Sequence, residues 1–281
     1  MLYDRPETLP DALAILAAEP RTLLAGGTDL YPATDAPDLP GPILDITGLP
    51  DLAGIRPGPD GGLRIGACTR WAEIRDATLP PAFDALRQAA AEVGGRQIQA
   101  AGTLGGNLCN ASPAADGVPP LLALDAEVEL AAATGRRRLP LAAFLRDVRR
   151  TARRPDEILV AIHISAQAIR GRSTFLKLGA RRYLVISIAM VAARLTVENA
   201  RVSGAALAVG ACGPVATRLP DVEAALLGHP ADDTLADRIA TPSVAAALRP
   251  INDIRADAAY RAEAAAELLR RAVRHLAGGP A

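Results

Sequence analysis

Residues 101–110 read AGTLGGNLCN, between a helix-forming run, AFDALRQAAAEV (82–93), and an apolar one, PLLALDAEVEL (120–130). Glycine carries no β-carbon, so Gly102, Gly105 and Gly106 mark either a tight turn or a place where backbone approaches something closely. A second stretch of this kind, LLAGGTDL (23–30), closes a predicted strand, TLLAGG (22–27). Each pairs consecutive glycines with a hydroxyl, Thr28 in one and Thr103 in the other. Such loops can cup an anion with their backbone N–H groups, and two of them could grip a diphosphate from two sides. Neither has the G-x-x-x-x-G-K-[ST] or G-x-G-x-x-G spacing of the common nucleotide loops. No G-x-S-x-G nucleophile elbow is present either. Taken singly, each stretch also reads as a structural turn.

The rest of the chain narrows the choice. With 281 residues, half of them apolar, it has enough length for a real core in one large domain or two to three small ones. A formal net charge of zero argues against a general nucleic-acid or membrane-surface binder. No apolar run is long enough to span a bilayer. The start, MLYDRPETLP, lacks the basic and apolar regions of a signal peptide, so the expectation is a cytoplasmic protein. Cys68, Cys109 and Cys212 are scattered and form no C-x-x-C, which argues against a disulfide framework or a four-thiolate cluster. His163, His229 and His275 make no metal spacing, and no metal site is expected.

Two features of the charges stand out. Of 31 basic residues only Lys177, in STFLKLGARR, is a lysine. An ammonium is a compact point charge whose pKa moves on burial, so Lys177 is a candidate functional group, with chance survival of an Arg-for-Lys drift as the alternative. Residues 136–182 hold thirteen Arg or Lys against three acids. That segment reads as a solvated face, as a docking surface for an acidic partner, or as help in holding phosphates.

The pattern of elements is mixed. Thr8 caps a helix over ALAILAAE, and Thr69 caps a short one over WAEIRDA. PAFDALRQAAAEV starts another at Pro81. Strands are expected over PILDIT, GLRIGA, EVELAAA, EILVAIHIS and STFLKLG. LVISIAMVAARLTVE (184–198) reads as a strand joined to VSGAALAVGAC by a hairpin. The segments APDLPGP and RPGPDGG are loops, and ASPAADGVPPLLALDA is too rich in proline to be one regular helix. The last third turns helical and ends in an amphipathic helix through Ala262, Leu269 and Leu276. Strands and helices do not strictly alternate, so the class is α+β.

LLAGGTDL and GTLGGNLCNASPAAD (102–116), in this order and at this spacing, resemble the FAD-binding medium subunit of the molybdenum hydroxylases, of the xanthine dehydrogenase and aerobic carbon monoxide dehydrogenase type. The resemblance continues through GLRIGACTRWAEI, PLLALDAEVEL, EILVAIHI, FLKLGARR and IRADAAYR, and so covers essentially the whole chain. It implies a two-subdomain FAD-binding fold of the vanillyl-alcohol oxidase/PCMH type over residues 1–55 and 56–168, followed by a C-terminal α+β domain over 169–281. It implies FAD as cofactor, held by Leu23, Leu24, Ala25, Gly26, Gly27, Thr28, Asp29 and Leu30, and by Thr103, Leu104, Gly105, Gly106 and Asn107. Asp116 matches the family aspartate that contacts FAD, and Lys177 the family lysine close to the flavin. Val93 and Val160 match less distinctive lining positions, and Tyr183 stands where a family aromatic approaches the isoalloxazine. Two departures are visible: Ala100 replaces a frequent asparagine, and the cysteine-bearing insertion that holds a [4Fe–4S] cluster in some relatives is absent.

The implied activity is electron transfer in an oxidoreductase. The implied partners are a molybdopterin-binding large subunit and a [2Fe–2S] small subunit, assembled as a dimer of heterotrimers. At this stage a stand-alone FAD-dependent reductase or oxidase of the same fold, and a non-catalytic module retaining it, remain as alternatives.

Overall fold

The computed structural model describes residues 2–36, 38–39 and 41–278. Pro37 and Pro40, inside the APDLPGP segment read as a loop, lie outside the described residues. The chain is built on three main sheets that follow one another in sequence.

The first sheet is parallel. Strands β1 (Tyr3–Asp4), β2 (Thr22–Leu24) and β3 (Ile43–Asp45) lie in the order β1-β3-β2. Helix α1 (Leu9–Ala18) starts as expected at Thr8, whose hydroxyl oxygen accepts from the Asp11 N–H at 3.3 Å. Its buried stripe of Leu9, Ala12, Leu13 and Leu16 shares a core with Leu44, Ile46 and Val160.

The second sheet is antiparallel, made of β4 (Ile55–Pro57), β5 (Leu63–Gly66), β6 (Glu127–Ala132), β7 (Gly135–Pro140) and, after a small hairpin of β8 (Leu145–Asp147) and β9 (Arg150–Thr151), β10 (Ile158–Ile164). Its order is β4-β5-β10-β6-β7. The apolar run ILVAIHI becomes the central strand, buried at every position. Helices α2 (Trp71–Asp76), α3 (Asp84–Glu92), α4 (Arg96–Ala101), α5 (Leu104–Asn110) and α6 (Val118–Ala123) connect β5 to β6. Their buried Trp71, Phe83, Leu86, Leu104 and Leu121 pack against Ile65, Val128 and Ile162 of the sheet.

The third sheet is a meander of β11 (Arg172–Leu178), β12 (Ala189–Glu198), β13 (Arg201–Gly210) and β14 (Thr217–Arg218). The expected hairpin turns at Asn199 and Ala200, both with positive φ (52° and 58°), as the tight turns of twisted hairpins require. One face carries Phe175, Met190 and Ala206 against Ala85 and Ala89 of α3. The other carries Val191, Leu195 and Leu207 against Ala265, Leu269 and Val273 of the C-terminal helix, Ala258–Ala277. No helix among the described residues is long and apolar enough to cross a membrane.

Several local expectations differ from what forms. Thr69 is fully buried and donates its hydroxyl to the Gly54 carbonyl, so it does not cap α2; the backbone N–H of Arg70 donates to Glu73 instead. Pro119 and Pro120 fall in the first turn of α6, where a missing N–H costs nothing; as expected, the proline-rich segment is not one helix, and only Val118–Ala123 of it is helical. Residues 184–188 precede β12 and are not part of it. The arginine-rich β7 carries no apolar alternation and gave no strand signal; its partner β6 imposes it.

Part of the basic segment is consumed by one buried acid. Glu157, with a side chain 1% exposed, accepts from Arg137 at 2.7 and 2.9 Å and from the backbone N–H and Nε of Arg154 at 2.7 and 3.0 Å. Burial works to raise its pKa, but these donors prevail and hold it down to about 2, from 4.5. A folded value below the unfolded one adds stability above about pH 4.5 and loses it as pH falls towards about 2. Glu157→Gln is expected to lower stability at neutral pH by about 1–3 kcal/mol, and to flatten the acid limb in urea denaturation followed from pH 6 down. An unchanged acid limb would remove Glu157 from the acid sensitivity of the fold.

Candidate functional site

The chain leaves β2 at Leu24 and turns at once. Gly27 has φ +70°, and the Tyr31 ring occupies the space a β-carbon there would need. A β-carbon on Gly26 would fall on the Ala101 carbonyl oxygen and 2.8 Å from the Gly102 Cα. The first glycine segment therefore lies flush on the start of the second. Tyr31 N–H donates to the Gly27 carbonyl at 3.0 Å, closing the turn. Among the described residues, the N–H groups of Gly26, Gly27, Thr28 and Asp29 have no partner.

The second glycine segment works differently. It is not a loop but the first turn of α5, capped by Thr103, whose Oγ accepts from the Gly106 N–H at 3.1 Å. Leu104 N–H donates to the Thr69 carbonyl (3.0 Å), Gly105 N–H to Ala67 (2.8 Å) and Asn107 N–H to Thr103 (3.1 Å). These amides are spent inside the protein, which corrects the expectation that both segments offer free donors. The glycines serve approach instead. A β-carbon on Gly105 would lie 2.7 Å from the Ala67 carbonyl oxygen, so α5 could not seat against the β5 end. What α5 does leave open is Asn107 Oδ1, which is buried with no hydrogen-bond partner among the described residues.

The two segments wall a cleft of about 990 Å³. Leu23, residues 25–30, Thr103, Gly105, Gly106 and Asn107 all line it. Residues not singled out from the sequence line it too: Ala67, Cys68, Cys109, Asn110, Ile158, Leu159, and Arg149, Arg150 and Arg153 at the β8–β9 hairpin. The only advance signal for the arginines was the net charge of 136–182. Asp29 is the sole acid among the described lining residues, and Asn110 Nδ2 donates to it at 2.7 Å. The Arg149 guanidinium in turn donates to Asn110 Oδ1, so one hydrogen-bonded chain joins the first glycine segment, α5 and the hairpin. Burial pushes the Cys68 thiol up to about 12 and the Cys109 thiol up to about 11, so both stay protonated at neutral pH.

The other positions named from the sequence fall elsewhere. Leu24 and Leu104 point into the core, and Val160 is fully buried beside α1. Val93 ends α3 and packs on the central core. Tyr183 is 64% exposed, with the Arg182 guanidinium 5.2 Å from its ring centre. Asp116 and Lys177 form a buried ion pair, Nζ to Oδ2 at 2.7 Å, and Ser187 donates to the other carboxylate oxygen at 2.8 Å. This pair ties the start of α6 to β11. Burial raises the Asp116 pKa, opposed by Lys177 and Ser187. The cleft is not remote from it: Asn107 Oδ1 abuts Gly117, the neighbour of Asp116.

Unengaged backbone amides, guanidinium groups and a surface stripped of β-carbons suit a large anionic ligand with a polyphosphate link. Comparison with known proteins decides which. Residues 1–166 match the family model described as the FAD binding domain in molybdopterin dehydrogenase, and residues 174–276 that of the CO dehydrogenase flavoprotein C-terminal domain. The chain belongs to the FAD-binding medium subunits of the molybdenum hydroxylases. It is 36% identical over 225 residues to the xanthine dehydrogenase FAD-binding subunit of Escherichia coli O157:H7, covering 79% of this chain and 77% of that one. It is 30% identical over 278 residues to the glyceraldehyde dehydrogenase medium chain of Sulfolobus acidocaldarius, covering 98% of both. Its fold superposes on a chain of Cu,Mo-CO dehydrogenase in the cyanide-inactivated form with TM-score 0.89 at 27% identity, over 99% of this chain and 97% of that one. The cofactor of the family is FAD, its members are oxidoreductase subunits, and a medium subunit implies large and small partners.

The buried pair makes a prediction apart from any ligand. Lys177→Met strands the Asp116 carboxylate, and breaking a buried pair from one side costs about 3–5 kcal/mol. The folded Asp116 pKa, already above its ordinary 3.8, rises further, so the folded state keeps a proton that the unfolded state releases. Stability then falls as pH rises through that window. In urea denaturation the deficit of the variant against the wild type is expected to be larger at about pH 8 than at about pH 5, and adding Asp116→Asn should recover part of it. Equal deficits at both pH values would contradict this account of the pair.

Proposed function

We propose that this chain binds one FAD in the cleft between its glycine segments. We propose further that it passes electrons from [2Fe–2S] centres on a small subunit to an external acceptor, substrate being oxidised at a molybdopterin site on a large subunit. FAD, when bound, supplies the redox chemistry. The protein's part is to hold and orient it. The amides of Gly26, Gly27, Thr28 and Asp29 would donate to the diphosphate, a fixed set of dipoles that needs no rearrangement on binding. The bare face of α5 at Gly105 and Gly106 leaves room for it, with the Thr103 hydroxyl and the Asn107 amide at its edge. Asp116 and Lys177 belong to this reading as groups set near the flavin end, with the Lys177 charge bearing on its potential.

The observation that carries the reading is the run of four unengaged amides in residues that line a cleft whose only described acid, Asp29, is already bound by Asn110. The same reading divides the chain into units at 1–55, 56–168 and 169–281. It assembles the holoenzyme as a cytoplasmic dimer of heterotrimers.

Purified alone, the chain is expected to be yellow or to become so with FAD, at one flavin per chain, and to carry two further polypeptides with it when isolated from its host. A colourless chain that leaves FAD fluorescence unchanged on titration would refute the proposal.

A further inference from the structure

We propose that the segment carrying Arg149, Arg150 and Arg153 is a cationic clamp that recognises the diphosphate of the dinucleotide, and that it makes the site select FAD over FMN. The inference rests on the reading of the cleft as the flavin site.

Three observations point to it. First, the anion donors are fewer than the sequence suggests, because the amides at the start of α5 are spent on Ala67, Thr69 and Thr103. Neutral amides at 26–29 can donate to a diphosphate but leave its net charge uncompensated, so a cation in the lining would add to binding. Second, the described lining offers few. Arg21 is committed to Asp4 and Glu19, at 3.3 and 2.6 Å. Arg149, Arg150 and Arg153 are the others, against the single acid Asp29. Among the described residues the Arg150 guanidinium has no hydrogen-bond or ion-pair partner at all. Third, the segment is held in place before any ligand arrives. Arg149 N–H donates to the Ala111 carbonyl at 2.9 Å, at the end of α5. Ala152 N–H donates to Phe144 at 2.7 Å, and the Ala152 carbonyl accepts from Arg137 at 2.7 Å. Arg153 is aligned by the carbonyls of Arg154 (3.1 Å) and Glu157 (2.8 Å).

Arg150 is thus the uncommitted member of a pre-set group. Its planar fork matches two phosphate oxygens at once, which a point charge does not. Arg149 keeps one end of its side chain on Asn110, which fixes the distance between the clamp and the amides of residues 26–29. FMN carries one phosphate and no adenylyl half, so it cannot fill both the amide run and the clamp.

The test is equilibrium titration of the full chain, freed of flavin, with FAD, FMN and ADP at several salt concentrations. In the wild type FAD should bind tighter than FMN, ADP should compete with FAD, and FAD binding should weaken with salt. Arg150→Met should weaken FAD about tenfold, as for one lost charge-assisted hydrogen bond. It should also flatten the salt dependence, blunt competition by ADP and leave FMN affinity near that of the wild type. Arg150→Lys should recover the salt dependence but only part of the affinity. Arg150 is exposed and unpaired, so its variants should keep the wild-type urea midpoint. A wild type that binds FAD while Arg150→Met binds it equally well at every salt concentration overturns the clamp alone. Equal weakening of FAD and FMN overturns the selectivity. A wild type that binds no FAD overturns the flavin reading beneath it.

Discussion

No β-carbon fits on residue 26. It would meet the carbonyl of Ala101 and the α-carbon of Gly102, so the two glycine segments touch backbone to backbone. That contact brings the end of a strand in the first sheet against the entrance to α5, which packs on the second sheet. The same logic repeats one layer deeper, where Gly105 lies against Ala67 at the end of β5. Two close approaches in series set the floor and one wall of the cleft. They also decide which amides are free among the described residues: those of α5 are used in seating it, while those of residues 26–29 are left over.

Charge is then added around this frame without disturbing it. The second sheet, the hairpin beside it and the turn leading from that hairpin to β10 hold eight of the thirteen basic residues of that stretch. Its members divide by environment. Arg136 pairs with Glu129, and Arg137 and Arg154 with Glu157, in pairs where the acid is buried. Arg149, Arg150 and Arg153 reach the cleft. Lys177 neutralises Asp116 where the third sheet packs on α6, so the third sheet is held to the helices between β5 and β6 by an ion pair as well as by the Phe175–Met190 apolar face. A guanidinium at residue 177 would be bulkier and would not present a single compact charge to one carboxylate oxygen.

Much of this was legible in the residues. The strands with β-branched runs, ILVAIHI above all, formed where their pattern placed them, because burial on both faces leaves no other use for such a segment. The glycine segments were visible as places of close approach, and the family resemblance supplied the ligand. What sequence did not reveal was the division of labour between them. TLGGN and AGGTD look alike in composition, yet one is a capped helix start and the other an open turn. The difference is set by Ala67, Thr69 and Gly54, which are distant in sequence. The strand GRRRLP was invisible for a related reason: its side chains carry no alternation, and its conformation comes from pairing with EVELAA. The cleft arginines could be seen as charge but not as position, since the turn that presents them is fixed by a bond from Arg149 to Ala111.

Residue-resolved hydrogen exchange on the full chain, with and without FAD, tests this division most directly. The amides of Gly26, Gly27, Thr28 and Asp29 should exchange fast in the free chain and become protected when FAD binds, while those of Leu104, Gly105 and Gly106 should be protected from the start. Protection of the first set without ligand, or a flavin-dependent gain confined to the second, would contradict the account.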